Sequence, residues 1–293
     1  MPIAIIDSGS GPHADLNVVG GTTCVGGNYR DGNGHGTHVA GIAAAKDDGV
    51  GVVGMAPGAP IYSVRVLASN GSGTLSTVIC GIDWVTANAA AKGIKVANMS
   101  LRFQNSADDG NCGHTNNDAL HVAICNSVAR GVTYVVGAGN ESNDFATNVP
   151  AAYDEVLTVT GVADFDGSPG GAAAPTCRSD VDDTYADFSS FAVSASDVAH
   201  TIAAPGVCIY STWPGNAYNT LSGTSMSSPH VAGLVALCLA SGRCSGTPAE
   251  IIQQVRSAAS TESTVVPAFG FAGDPNSPTG AGYFGYLVYA GGF

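Results

Sequence analysis

Six short apolar runs, rich in β-branched residues, recur along the chain: Ile3–Ile6, Ile61–Val66, Ile94–Ala97, Val132–Val136, Val156–Thr160 and Thr201–Ala203. Their apolar character is nearly continuous instead of alternating, as strands covered on both faces require. Longer stretches with helical spacing lie between them. Leu75 to Lys92 is followed by Gly93, suited to the left-handed position after a helix. Asp118 to Arg130 is closed in the same way by Gly131. Thr247-Pro248-Ala249-Glu250 supplies an N-cap, a proline in the first turn and a glutamate reaching back, which predicts a helix start. Strands alternating with helices predict an α/β fold: a three-layer, doubly wound, mostly parallel sheet with helices on both faces. Residues 161–199, rich in Gly, Ser and Asp, read as surface loops around short strands. No repeat, linker or change of composition divides the chain, so residues 1–293 are expected to form a single domain around one large core.

Charge changes this picture by exclusion. The 23 acidic and 10 basic side chains leave a net charge of −13, a field that repels a phosphate backbone and argues against a nucleic-acid partner. Apolar runs fall far short of the ~20 residues that span a bilayer, so no membrane segment is expected. A basic n-region and apolar h-region are also missing from the start, so an export signal is expected to be absent or already removed. The eight cysteines, at 24, 80, 112, 125, 177, 208, 238 and 244, show neither C-x-x-C nor Cys/His zinc spacing. An even count without metal spacing points to disulfides and an oxidising compartment. Cys238 and Cys244 are close enough in sequence to staple a helix end.

Four segments carry candidate chemistry. Asp7 follows the strand Ile3–Ile6 directly, and the C-terminal end of a central strand faces the crevice of an open α/β sheet. By itself such an aspartate is usually a turn or cap residue. His35 and His38 lie three apart, but no nearby Glu or third histidine completes a zinc site. His35 is nearer the mouth of the helix, which makes it the better base and His38 the better structural residue. Ser225 precedes the apolar run Val231–Ala240, and Pro229 is expected within the first turn of that helix, placing Ser225 near its N-terminus. The positive end of the helix there favours a developing alkoxide, and Gly223 lets backbone approach a substrate closely. Nothing local separates Ser225 from Ser227 or Ser228. Asn140 ends Gly137-Ala138-Gly139-Asn140, just after the strand Val132–Val136, where a side-chain amide can donate to an oxyanion.

Ile5-Ile6-Asp7-Ser8-Gly9, His35-Gly36-Thr37-His38-Val39-Ala40-Gly41, Ala138-Gly139-Asn140 and Gly223-Thr224-Ser225-Met226-Ser227-Ser228-Pro229-His230 together resemble the subtilisin-like serine proteases. The order Asp, His, Ser is that family's own. The likeness runs from near residue 3 to Tyr286-Leu287-Val288. It implies a secreted serine endopeptidase with Ser225 as nucleophile, His35 as general base, Asp7 orienting it and Asn140 in the oxyanion hole.

The resemblance implies more. Protein or peptide substrates would bind as an added strand between Gly71-Ser72-Gly73 and Ser100-Leu101-Arg102. The primary pocket would lie between Ser100–Arg102 and Gly137-Ala138-Gly139-Asn140, with large apolar or aromatic P1 residues as the default. Arg102 and Phe103 stand where the family has glycines, and Glu141 at the rim favours a basic or polar P1 instead. Lys46-Asp47-Asp48-Gly49-Val50-Gly51-Val52 resembles the family's high-affinity calcium loop, with carbonyls of Lys46, Val50 and Val52 joining the carboxylates of Asp48 and Asp15 around a structural calcium. Only six residues precede Asp7, fewer than the family's usual lead-in. A pro-segment or a proteinaceous inhibitor is a further expected partner, and a monomer the expected state. Two rival functions use the same chain: a peptide ligase or transpeptidase on the same triad, and a non-catalytic secreted binding protein.

Overall fold

A computed structural model describes residues 1–291. In chain order the strands are β1 (Ile3–Asp7), β2 (Val18–Thr23), β3 (Ile61–Arg65), β4 (Val96–Met99), β5 (Phe103–Gln104), β6 (Thr133–Gly137), β7 (Asn148–Val149), β8 (Leu157–Ala163), β9 (Thr184–Tyr185), β10 (Thr201–Pro205), β11 (Ile209–Trp213) and β12 (Ala217–Leu221). The helices are α1 (His35–Ala44), α2 (Leu75–Lys92), α3 (Ala119–Val128), α4 (Ala195–Ala199), α5 (Thr224–Ser241) and α6 (Pro248–Val265).

Seven strands run parallel in the order β10-β8-β6-β4-β1-β3-β2, with β9 antiparallel beside β8. Every residue of β1, β4, β6 and β8 is buried, which explains why those runs carry no polar alternation. One face of the sheet packs against α1, α5 and α6 through Val39, Ile42, Val231, Leu234 and Ile252. The other packs against α2 and α3 through Val78, Ile82, Leu120 and Ile124. The result is the three-layer α/β arrangement that the sequence predicts.

Capping residues set the helix ends. Thr74 and Thr77 form a capping box on α2, and Gly93 ends it at φ 67°. Thr247 and Glu250 form another on α6, with Pro248 at its start. Asp118 caps α3 by accepting the N–H groups of Leu120 and His121. Each such cap contributes about 1 kcal/mol.

Three expectations shift. β4 begins at Val96 because the Ile94 N–H still closes α2 onto the Ala89 carbonyl at 2.9 Å. α3 ends at Val128, and its last turn runs on to Gly131, whose φ is 81°. Pro229 sits inside α5, beyond its first turn. A proline there cannot donate to the Ser225 carbonyl, and the Ser100 hydroxyl takes that place at 2.8 Å. Sequence reading missed β2 and the hairpin β11–β12, both rich in Gly, Thr, Asn or Tyr and only partly buried.

All eight cysteines pair: Cys24–Cys80, Cys112–Cys125, Cys177–Cys208 and Cys238–Cys244. The last staples the end of α5. Among the described residues no helix is long and apolar enough to cross a membrane.

Candidate active site

β1 is flanked by β3 on one side and β4 on the other, so the chain reverses its direction of travel through the sheet at the β1–β4 crevice. Ligands of open α/β sheets bind at such a point, beyond the strands' C-terminal ends. Asp7 ends β1 there, and Ser100 follows β4.

Asp7 is fully buried. Its Oδ1 accepts the Ser8 N–H at 2.7 Å and lies 2.8 Å from His35 Nδ1, with Oδ2 at 3.0 Å from the same nitrogen. The proton of a neutral His35 is thereby held on Nδ1, leaving Nε2 as an acceptor. Such closeness needs Gly36, where a β-carbon would collide with the Gly9 carbonyl oxygen and stand 3.1 Å from Asp7. Burial opposes a charge on His35, but the carboxylate of Asp7, by charge and hydrogen bond, and that of Asp31, by charge, raise its pKa above 6.5.

Asp31 was not picked out from the sequence. Its Oδ2 accepts the N–H and hydroxyl of Thr37 at 2.8 and 2.6 Å, and its Oδ1 accepts the Asn33 and Gly34 N–H groups and the Ser8 hydroxyl. One carboxylate thus ties the strand end to the helix start, and only a D-x-N-G turn before His35 hints at it. His38 turns away, its Nε2 3.0 Å from the Ile209 and Asn219 carbonyls of the hairpin, and burial pushes its pKa down to about 4.

The three candidate serines separate in space. Ser228 is buried and donates to Asn98 at 2.6 Å, while Ser227 is buried against Gly161 and Gly206. Ser225, second residue of α5, lies at the cleft and donates to the Ser100 carbonyl at 3.3 Å. Asn140 Oδ1 accepts the N–H and hydroxyl of Thr224 at 2.9 and 3.0 Å, which fixes the orientation of the side-chain amide. Thr224 is a second residue that motif reading missed. Gly223, at φ 152°, fits against this amide, since a β-carbon would stand 3.4 Å from Nδ2.

A cleft of about 440 Å³ holds His35 and Ser225, between Gly71-Ser72-Gly73 on one side and Ser100-Leu101-Arg102 on the other. Beside it, Ser100–Arg102 faces Gly137, Gly139, Asn140 and Ser225 across a crevice of about 20 Å³, space for about one water. Ala138 is buried behind that wall. An Arg102–Glu141 ion pair joins the two walls. Glu141 thus has a cationic partner within the chain.

Of the candidate calcium residues, the structure joins Asp15 to Lys46 and Val52, while Asp48 contacts Val50. Asp15 is buried, and its carboxylate accepts the N–H groups of Lys46 and Val52 at 3.2 and 3.4 Å and the Tyr218 hydroxyl at 3.1 Å. Among the described residues no Lys or Arg ion pair offsets this charge. Asp48 is exposed and accepts the Val50 N–H at 3.2 Å. A buried carboxylate with no cationic side chain paired to it, beside a glycine-rich loop, fits a hard divalent cation such as calcium.

Residues 2–278 match the peptidase S8 family, the subtilases. The chain belongs to the subtilase family. Subtilisin DY of Bacillus licheniformis is 40% identical over 270 residues, covering 90% of this chain and 84% of that protein. M-protease of Shouchella clausii (strain KSM-K16) is 38% identical over 239 residues, 81% of this chain, which spans about half (53%) of that protein's length. A crystal structure of a cold adapted subtilisin-like serine proteinase superposes with a TM-score of 0.74 at 31% identity, covering 99% of this chain and 88% of that one. This subtilase is accordingly a serine endopeptidase, a hydrolase with the subtilisin-like fold.

Proposed function

We propose that this subtilase, as one catalytic domain over residues 1–293, cleaves protein substrates through an acyl-enzyme on Ser225. The Asp7–His35 pair carries the reading: buried at Asp7, it opens at His35 onto the cleft that Ser225 lines. In the reaction the Ser225 hydroxyl leaves the Ser100 carbonyl, passes its proton to His35 Nε2 and attacks the scissile carbonyl. Asp7 orients the imidazole and stabilises the imidazolium. The oxyanion is held by Asn140 Nδ2 and the Ser225 N–H, which lies in the first turn of α5, where amides have no helical acceptor. His35 then protonates the leaving amine and activates the water that frees the acyl group.

Substrate runs as an extended strand between Gly71–Gly73 and Ser100–Arg102. Its P1 side chain points to the crevice behind Ser225, which the Arg102–Glu141 pair narrows. Large apolar P1 residues enter when that pair parts. Asp15, Asp48 and the carbonyls of Lys46, Val50 and Val52 would hold a structural calcium, which would tie the 46–52 loop to Asp15. Exhaustive EGTA treatment is then expected to lower Tm, and an unchanged Tm would remove the calcium assignment. Four disulfides and relatives named as subtilisins support a secreted protein. A monomer that meets a pro-segment or a proteinaceous inhibitor at the same cleft is the accompanying expectation.

Incubation with casein, with and without a fluorophosphonate, tests the reading. Labelling of Ser225 with shortened casein products supports it. Labelling with spliced products indicates a ligase, and no labelling indicates a binding protein.

A further inference from the structure

His121, in the first turn of α3, has no solvent exposure and sits among acids. Its Nε2 lies 2.7 Å from Glu155 Oε2. Its Nδ1 has no hydrogen-bond partner, yet stands 3.3 Å from Asp108 Oδ1 and 3.5 Å from Asp109 Oδ1. The ring stacks on Tyr153 with centroids 3.9 Å apart and planes 4° from parallel, which fixes its aim. The Tyr153 hydroxyl donates to Asp118 at 2.6 Å. Among the ion pairs of the described residues, none brings a Lys or Arg to Asp108, Asp109, Asp118 or Glu155.

The distances differ on the two sides of the ring. A charge-assisted N–H···O bond measures about 2.7–2.9 Å, as Glu155 makes on the other nitrogen. Ligand atoms at about 2.0–2.1 Å from a tetrahedral ion stand roughly 3.3–3.4 Å from one another. Nδ1 holds that second spacing to both carboxylates. A histidine that donates one N–H to a carboxylate while presenting the other nitrogen to a cation is the usual outer arrangement of a zinc site. The two acids are placed by backbone: Gly110 N–H donates to Asp108 Oδ1 at 3.0 Å, Asn111 and Gly113 N–H groups donate to Asp109 Oδ1 at 2.9 Å, and Thr115 and Asn116 N–H groups donate to Asp109 Oδ2 at 2.8 and 3.3 Å.

The geometry points to a divalent transition-metal site, of zinc type, formed by His121 Nδ1, Asp108 and Asp109, with Glu155 orienting the imidazole and water in the remaining position. One nitrogen and two carboxylates suit zinc better than calcium, which takes oxygen alone. The ion would pin the loop 105–118 to α3, next to the Cys112–Cys125 disulfide.

The test is a zinc titration of the calcium-saturated full chain by calorimetry, with Tm read alongside and cobalt as the spectroscopic probe. One tight zinc equivalent, a raised Tm and the visible absorption of tetrahedral cobalt are expected. Asp108→Asn keeps the acceptor for Gly110 and is expected to fold, yet to weaken that equivalent by at least ~10-fold; Glu155→Gln should weaken it by about 10–100-fold. His121→Asn should abolish it. No tight zinc equivalent, or one that survives Asp108→Asn and His121→Asn unchanged (as zinc on His35 would), overturns the assignment.

Discussion

His35 and His121 are the same local device in two settings. Each has one ring nitrogen fixed by a carboxylate, at 2.8 Å from Asp7 and 2.7 Å from Glu155, and each is raised in pKa against the cost of burial. They differ in what lies beyond the second nitrogen. His35 faces the cleft with Ser225, whereas the unpaired nitrogen of His121 faces two more, partly buried carboxylates. A His–carboxylate pair is therefore no signature of catalysis. Its use is decided by the surroundings of the unpaired nitrogen.

Replacing the two histidines breaks or upholds that contrast most sharply. His35→Ala should lower kcat about 10⁶-fold with a near-native Tm, a figure adopted from subtilisin itself. His121→Ala should lower Tm while kcat/KM on a peptide substrate stays within a few-fold. A collapse of kcat in a folded His121 variant would erase the distinction.

The carboxylates offer the next comparison. Asp7→Asn should reduce kcat about 10⁴-fold by holding the wrong tautomer of His35. Glu155→Gln, chemically the same change, should leave kcat within about threefold, because its histidine touches no reacting atom. Steady-state kinetics of the two folded variants decides this.

The pH profile sharpens the case at His35 alone. Its pKa is raised above 6.5, and the base must be neutral, so kcat/KM should climb with pH to a midpoint above 6.5. The stability that His35 contributes runs the other way. It is full below the unfolded value of about 6.5 and lost as pH rises through the higher folded pKa. An activity midpoint below 6.5 would contradict the paired geometry.

The smallest effect concerns a pair that lines the cleft but does no proton transfer. Arg102 and Glu141 are both partly exposed, and such pairs are worth about 0–1 kcal/mol. Arg102→Ala should raise kcat/KM for a Phe P1 substrate relative to an Ala P1 substrate by a few-fold. An unchanged ratio would mean that the pair does not limit the pocket.

Much of the framework was legible in the residues. Continuous apolar runs mark strands buried on both faces, and Gly93, Gly131 and Thr247 with Glu250 mark helix ends, because these signals act within a few residues of themselves. The cysteine count gave the chemistry of the disulfides but not their pairing. Asp7, His35, Asn140 and Ser225 were recognisable through four motifs in a fixed order, whereas each motif alone left a plain turn, cap or core residue as an equal reading.

What the sequence determined by itself was local: periodicity, caps, turn residues, charge balance and the set of groups able to do acyl transfer. Tertiary structure decided everything that depends on residues far apart in the chain. It separated Ser225 from Ser227 and Ser228 by sending Ser228 to Asn98 and burying Ser227 under Gly206. It gave Asp31 and Thr224 their positioning roles and closed the crevice with Arg102 and Glu141, 39 residues apart. It also gathered Asp108, Asp109, His121 and Glu155, whose spacing follows no metal motif. Hydrogen bonds and coordination depend on distances of a few tenths of an ångström, and over such chain separations those distances are set by packing of the sheet and helices, not by neighbours in the chain.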